Sequence, residues 1–111
     1  MKDANFVAVN YIECDESYTE RFEFLFGTRA GAIDRMPGFV RMEVLKPMDK
    51  ENNTYLIVSH WENQDSFKTW TKSPEFIEGH KRGFEDIKKA REVGKMPPVR
   101  SDFKTYSVLA R

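Results

Sequence analysis

Cysteine is nearly absent from this chain: of 111 residues, Cys14 is the one thiol. A lone thiol excludes an internal disulfide and a cysteine-based zinc site. Excess charge is lacking too, because 18 Lys and Arg balance 18 Asp and Glu. With no long-range field, nucleic acid and anionic membrane are poor partners. No run approaches the ~18 apolar residues of a membrane span. The first residues, Met1 to Asn5, lack the apolar stretch of a secretory leader. There is no glycine-rich phosphate loop, no nucleophile elbow and no HExxH. These absences lead to an expectation of one cytoplasmic domain spanning residues 1–111, since domains typically run to roughly 100–150 residues.

Aromatic side chains are what the chain has in surplus. Nine Phe, four Tyr and two Trp make 14% of a sequence that is also 32% charged. Two explanations stand side by side. Large rings fill a small core efficiently, and they also wall a pocket for a flat apolar ligand.

Patterning gives an order of elements. Phe6 to Cys14 alternates β-branched and aromatic residues and reads as a strand. Tyr18 to Met36 carries Phe22, Leu25, Phe26, Arg29, Ile33 and Met36 at helical spacing. Gly27 and Gly31 lie inside that stretch. Each costs about 0.8–1 kcal/mol relative to Ala in a helix, which suggests a close approach to the backbone. Pro37-Gly38 ends it. Phe39 to Pro47 and Tyr55 to Glu62 read as an antiparallel hairpin. Asn63 is a plausible cap for the segment ending at Trp70, and Pro74 starts a helix to about Lys89. Gly94 to Pro98 is a loop, and Phe103 to Leu109 a last strand.

The order β-α-β-β-α-β is the ferredoxin-like α+β arrangement, an antiparallel sheet with helices on one face. Its other face needs cover. A two-fold homodimer stacking two sheets into a β-barrel would supply it.

Few residues stand out as chemistry. His60 and His80 are the two histidines. His60, beside Trp61, reads as packing or a surface contact. His80 shares a helix face with Phe76 and Phe84, which suits a boundary residue or a ligand. Asn10 interrupts a strand of Val, Ala and aromatics. It is either an edge position or an amide aimed into a pocket, because an unpartnered buried amide costs about 1–3 kcal/mol. Trp70 taken alone reads as a core anchor. Lys81, Arg82, Lys88, Lys89 and Arg91 make the stretch after His80 basic, either as a solvated helix face or as cations that pair with the carboxylates of a ligand.

Together these residues resemble the IsdG-type haem-degrading monooxygenases, within the antibiotic-biosynthesis-monooxygenase-like superfamily of dimeric ferredoxin-like domains. The likeness covers nearly the whole chain. It is strongest at Val9-Asn10, from Arg21-Phe22 to Pro37-Gly38-Phe39, at His60-Trp61-Glu62, and from Ser66 through Trp70 to Gly79-His80. That family's site is an Asn on the first strand, a Trp after the third strand and a His ten residues later. Asn10, Trp70 and His80 match in order and spacing.

The resemblance implies that haem is both substrate and cofactor, with His80 as the proximal ligand of the haem iron. It implies a donor amide from Asn10 on the opposite haem face, and a Trp70 that presses the macrocycle out of plane. Phe26, Phe67 and Phe76 would wall the cavity, and Arg29 would lie near it. Oxygen and an external electron donor or reductase would open the ring and release iron. Two other readings remain at this stage: a haem carrier without turnover, and a cofactor-free oxygenase acting on a small aromatic or quinol.

Overall fold

A computed structural model describes residues 3–29 and 31–111. Four strands form one sheet: β1 (Phe6–Cys14), β2 (Phe39–Leu45), β3 (Thr54–Trp61) and β4 (Val99–Ser107). Their order is β2-β3-β1-β4, with every neighbouring pair antiparallel. The expected α+β ferredoxin-like arrangement is present. β1 is an interior strand, with Asn10 lying between Ile57 on β3 and Phe103 on β4. That removes the edge-strand reading of Asn10.

The helices differ from expectation in length. The stretch predicted as one helix from Tyr18 to Met36 divides into α1 (Thr19–Gly27) and a 3-10 turn, Ala32–Arg35. Residue 30 of that stretch lies outside the described residues. Gly31 takes φ 74°, a left-handed conformation that suits glycine and breaks the helix. A Cβ at Gly27 would meet nothing within 4 Å, and one at Gly31 would meet only the side-chain ends of Asp34 and Arg29. Close approach is therefore not why these glycines are there.

α2 (Gln64–Thr71) begins as expected, with the Asn63 side chain accepting from the Ser66 amide. α3 (Pro74–Glu92) begins with Pro74 behind Ser73, whose hydroxyl accepts from the Phe76 amide. It runs past the expected end near Lys89, and Gly94 follows at φ 74°. β4 starts at Val99, earlier than the expected Phe103, and stops at Ser107. It pairs with β1 along its whole length, and ladder pairing outweighs the polar composition of residues 100–102.

The helix-covered face holds two separate apolar clusters. One joins Phe6, Ala8, Ile33, Trp61 and Trp70. The other joins Ile12, Cys14, Phe22 and Tyr55. Glu23 on α1 accepts the Tyr55 hydroxyl at 2.5 Å, which ties that helix to β3. The opposite sheet face carries Val7, Val9, Tyr11, Leu56, Val58, Leu45 and Tyr106, together with a His60–Glu43 hydrogen bond at 2.8 Å, and among the described residues none of these joins either cluster. His60 is a contact on this face, in line with its bland reading.

Candidate functional site

The division between the two clusters falls at Asn10. Ala8 belongs to one cluster and Ile12 to the other, and strand alternation puts Asn10 between them on the same face. Its Oδ1 is buried and has no hydrogen-bond partner among the described residues. An interior strand thus holds a polar atom where packing alone would choose Val or Ile. Across the ladder Phe103 is half exposed. It stacks on Phe67 of α2, with centroids 5.7 Å apart and planes 13° off parallel.

α3 carries His80 at the far end of a series of ring contacts that leads back to Phe67. Residues 76, 80 and 84 fall one turn apart on one helix face, and their rings line up. The imidazole lies 4.2 Å from the Phe76 ring and 5.6 Å from that of Phe84. Phe76 in turn sits edge-on to Trp70 at 5.4 Å. Nδ1 of His80 is 2.6 Å from the carbonyl of Phe76. A carbonyl only accepts, so Nδ1 carries the proton. In the neutral ring Nε2 is then the free lone pair, on an exposed residue. This is how a second contact fixes the tautomer of a metal-binding histidine.

The structure thus joins Phe67, Trp70, Phe76 and His80 through successive ring contacts, with Trp61 between Phe67 and Trp70. Trp70 is only 6% exposed and packs within the Trp61 cluster. Phe26 does not join this set: it packs on Phe22 at 5.0 Å, in the cluster on the far side of Asn10. Arg29 lies 3.8 Å from Asp34, a loose pair. Phe84 and Phe103 complete the surroundings. Phe84 was signalled by its spacing from His80, whereas Phe103 faces Asn10 only through the strand register.

The basic stretch after His80 corrects one expectation. Lys81, Lys88, Lys89 and Arg91 are exposed, as a solvated face requires. Arg82 is not: its guanidinium bonds to Thr28 and to the Leu25 carbonyl on α1.

The residue types gathered here suit a flat macrocycle carrying its own metal. Among the described residues no three His, Cys, Asp or Glu side chains cluster to hold an ion. Iron held by a porphyrin asks for a single protein donor, and the exposed Nε2 is one. The rings supply apolar walls, and the orphaned amide supplies a polar group that packing does not explain.

Residues 5–82 match the family described as antibiotic biosynthesis monooxygenase. The chain belongs to that family, and its relatives put it with the IsdG-type members. A haem oxygenase (mycobilin-producing) of Mycobacterium tuberculosis is 34% identical over 61% of this chain, a stretch that spans 64% of that relative's own length. A haem oxygenase (staphylobilin-producing) of Staphylococcus haemolyticus is 36% identical over 68% of this chain and 72% of the relative. Among solved structures, the haem-degrader MhuD of M. tuberculosis, with two haems bound in its active site, superposes with a TM-score of 0.67 at 25% identity, covering 96% of this chain and 97% of that one.

Proposed function

We infer that this chain is a haem-degrading monooxygenase, an enzyme that binds haem through His80 and opens the porphyrin ring with oxygen and external electrons, releasing iron. The observation that carries the reading is the unpartnered Asn10 amide at the division of the core, in a fold whose α3 presents a free His80 Nε2 between two phenyl rings. The names of the relatives support the substrate class.

When bound, haem supplies the iron and the oxidisable ring, so the protein needs no acid–base pair of its own. His80 would hold the iron through Nε2, its ring oriented by the Phe76 carbonyl. Asn10 offers an amide from the sheet. Its two ends exchange by a half-turn, so the same side chain can present the NH2 donor toward the ligand. Phe67 and Phe76 would wall the bound ring and Trp70 would bear on it from α2, while Phe26, in the neighbouring cluster on α1, and Arg29, just past the end of α1, are more distant candidates. The uncovered sheet face would be closed by a second copy, giving the barrel-like homodimer. A cytoplasmic setting with an electron donor at hand completes the proposal. No helix among the described residues is long and apolar enough to cross a membrane.

The test is a haemin titration of the purified chain. A Soret band should appear and be abolished by His80→Ala. With ascorbate or a reductase in air the band should then decay and iron be released. A Soret band that persists under reducing, aerobic conditions refutes turnover and leaves a haem carrier.

A further inference from the structure

α3 has few apolar holds on the rest of the fold. Phe76 packs against the Trp61 cluster near its start, while Ile77, His80 and Phe84 are exposed. It also lies against the 3-10 turn Ala32–Arg35 and against α2, and its side-chain hydrogen bonds to distant residues run to α1 and its flanks, Tyr18 before it and Thr28 after it. The Arg82 guanidinium donates from Nη1 to Thr28 Oγ1 at 2.9 Å, and from Nη2 to the carbonyls of Leu25 and Thr28 at 3.1 Å each. One turn on, Asp86 accepts from the Tyr18 hydroxyl at 2.6 Å and from Arg21 Nε at 2.9 Å.

The geometry of the two contacts is that of a clamp. Leu25 and Thr28 lie at the end of α1, where helix carbonyls have no intrahelical partner. No left-handed glycine caps this end: the residue closing α1 is Thr28, at φ −120°. Arg82, far along the chain, does that work with a planar fork suited to several acceptors at once. Asp86 meanwhile holds the start of α1. The two helices are therefore pinned at both ends of α1 through one face of α3.

His80 lies on the other side of that helix. Arg82 is two positions further along the chain, which at 3.6 residues per turn is a rotation of about 200°. Pinning the Arg82–Asp86 face fixes the angle at which the opposite face looks out. Without the clamp, α3 could roll about the Phe76 contact and carry His80 with it.

We propose that Arg82, supported by Asp86, is a positioning residue: it sets the rotation of α3 and so the direction in which His80 presents Nε2. This rests on the reading of His80 as the haem ligand. The same bonds fix the path of the link after α1, which carries Arg29.

The experiment uses the full chain with Arg82→Ala, Arg82→Lys and Asp86→Asn, haemin as the probe, and amide hydrogen exchange on the ligand-free protein. Arg82→Ala should bind haemin about tenfold more weakly, the lower end of what supporting contacts of a metal ligand carry. At saturation its Soret maximum and ferric spin state should differ from wild type, and Arg82→Lys should restore part of both. A merely structural role would lower the melting temperature and leave the saturated spectrum unchanged. A saturated spectrum and dissociation constant equal to wild type in Arg82→Ala overturn the proposal. If that variant does not fold, Arg82→Lys and Asp86→Asn carry the same comparison. Should wild type itself give no Soret band, the haem reading fails and the positioning role with it. Exchange in the ligand-free protein then still reports on the clamp, because residues 25–29 and 78–84 should exchange faster in Arg82→Ala.

Discussion

Replacing Asn10 with leucine should stabilise the ligand-free protein. Asn10 Oδ1 is buried without a partner, and such an atom costs about 1–3 kcal/mol relative to a satisfied or apolar one. Leucine is close to asparagine in size, and Ala8, Ile12, Ile57 and Phe103 surround the position on the sheet. The new side chain would join two apolar clusters that are now separate, so its methyls add contact without opening a cavity. For a chain of 111 residues, each kcal/mol moves the melting temperature by about 4 °C. Asn10→Leu should therefore melt roughly 4–12 °C above wild type, with a higher urea midpoint and an unchanged urea slope. The same variant should still give a Soret band with haemin, since His80 is untouched, and should degrade the haem far more slowly. Gaining stability while losing activity is what a polar residue kept for chemistry predicts. A variant that melts at or below wild type would show that the amide is satisfied in solution, and the argument for its role would fall.

Other expectations follow from single contacts. Trp70→Ala should cost about 3–5 kcal/mol in urea denaturation, because a nearly buried ring leaves a cavity beside Trp61 and Phe76. Trp70→Phe should fold well and is the variant in which to look for a flatter bound haem; a loss under 1 kcal/mol in Trp70→Ala would contradict the packing. Gly38→Ala should be severely destabilising. Gly38 has φ 80°, and a Cβ there would sit 2.5 Å from Ser66 Cβ and closer still to its hydroxyl, which Asn63 holds at 3.0 Å. Normal expression and a wild-type urea midpoint would refute this. In acid the α1–α3 clamp should weaken. Burial pushes the Asp86 carboxyl up, but hydrogen bonds from Arg21 and Tyr18 outweigh it and hold it below its ordinary value. A depressed carboxylate contributes stability above its unfolded pKa of about 3.9, and this is lost as pH falls through the folded value. The stability difference between wild type and Asp86→Asn should accordingly be full near neutrality and shrink below about pH 4. A difference that does not change with pH would place the contribution elsewhere.

Much of the site was legible because its signals are local. Asn63 and Ser73 cap α2 and α3 as their residue types require, and Pro74 occupies the first turn. Phe76, His80 and Phe84 share a face by spacing alone. The break after α1 was hidden because a helical period continues through Ile33 and Met36, while the left-handed Gly31 is a backbone state that no side-chain pattern reports. β4 was misjudged for a related reason. Its first residues are polar, and they are strand because β1 offers them a ladder.

The amino-acid order by itself determined the succession of strands and helices, the alternation that puts Asn10 on the helix-covered face, and the matched spacing of Asn10, Trp70 and His80. Those properties rest on periods of two and 3.6 residues, which are intrinsic to the backbone. The tertiary structure alone decided that Asn10 stands between two separate cores with an unpaired oxygen, that Phe103 faces it, and that Arg82 leaves the basic stripe to cap a helix 54 residues away. Each of these depends on strand register or on contacts between distant elements. Only packing in three dimensions sets which distant groups become neighbours.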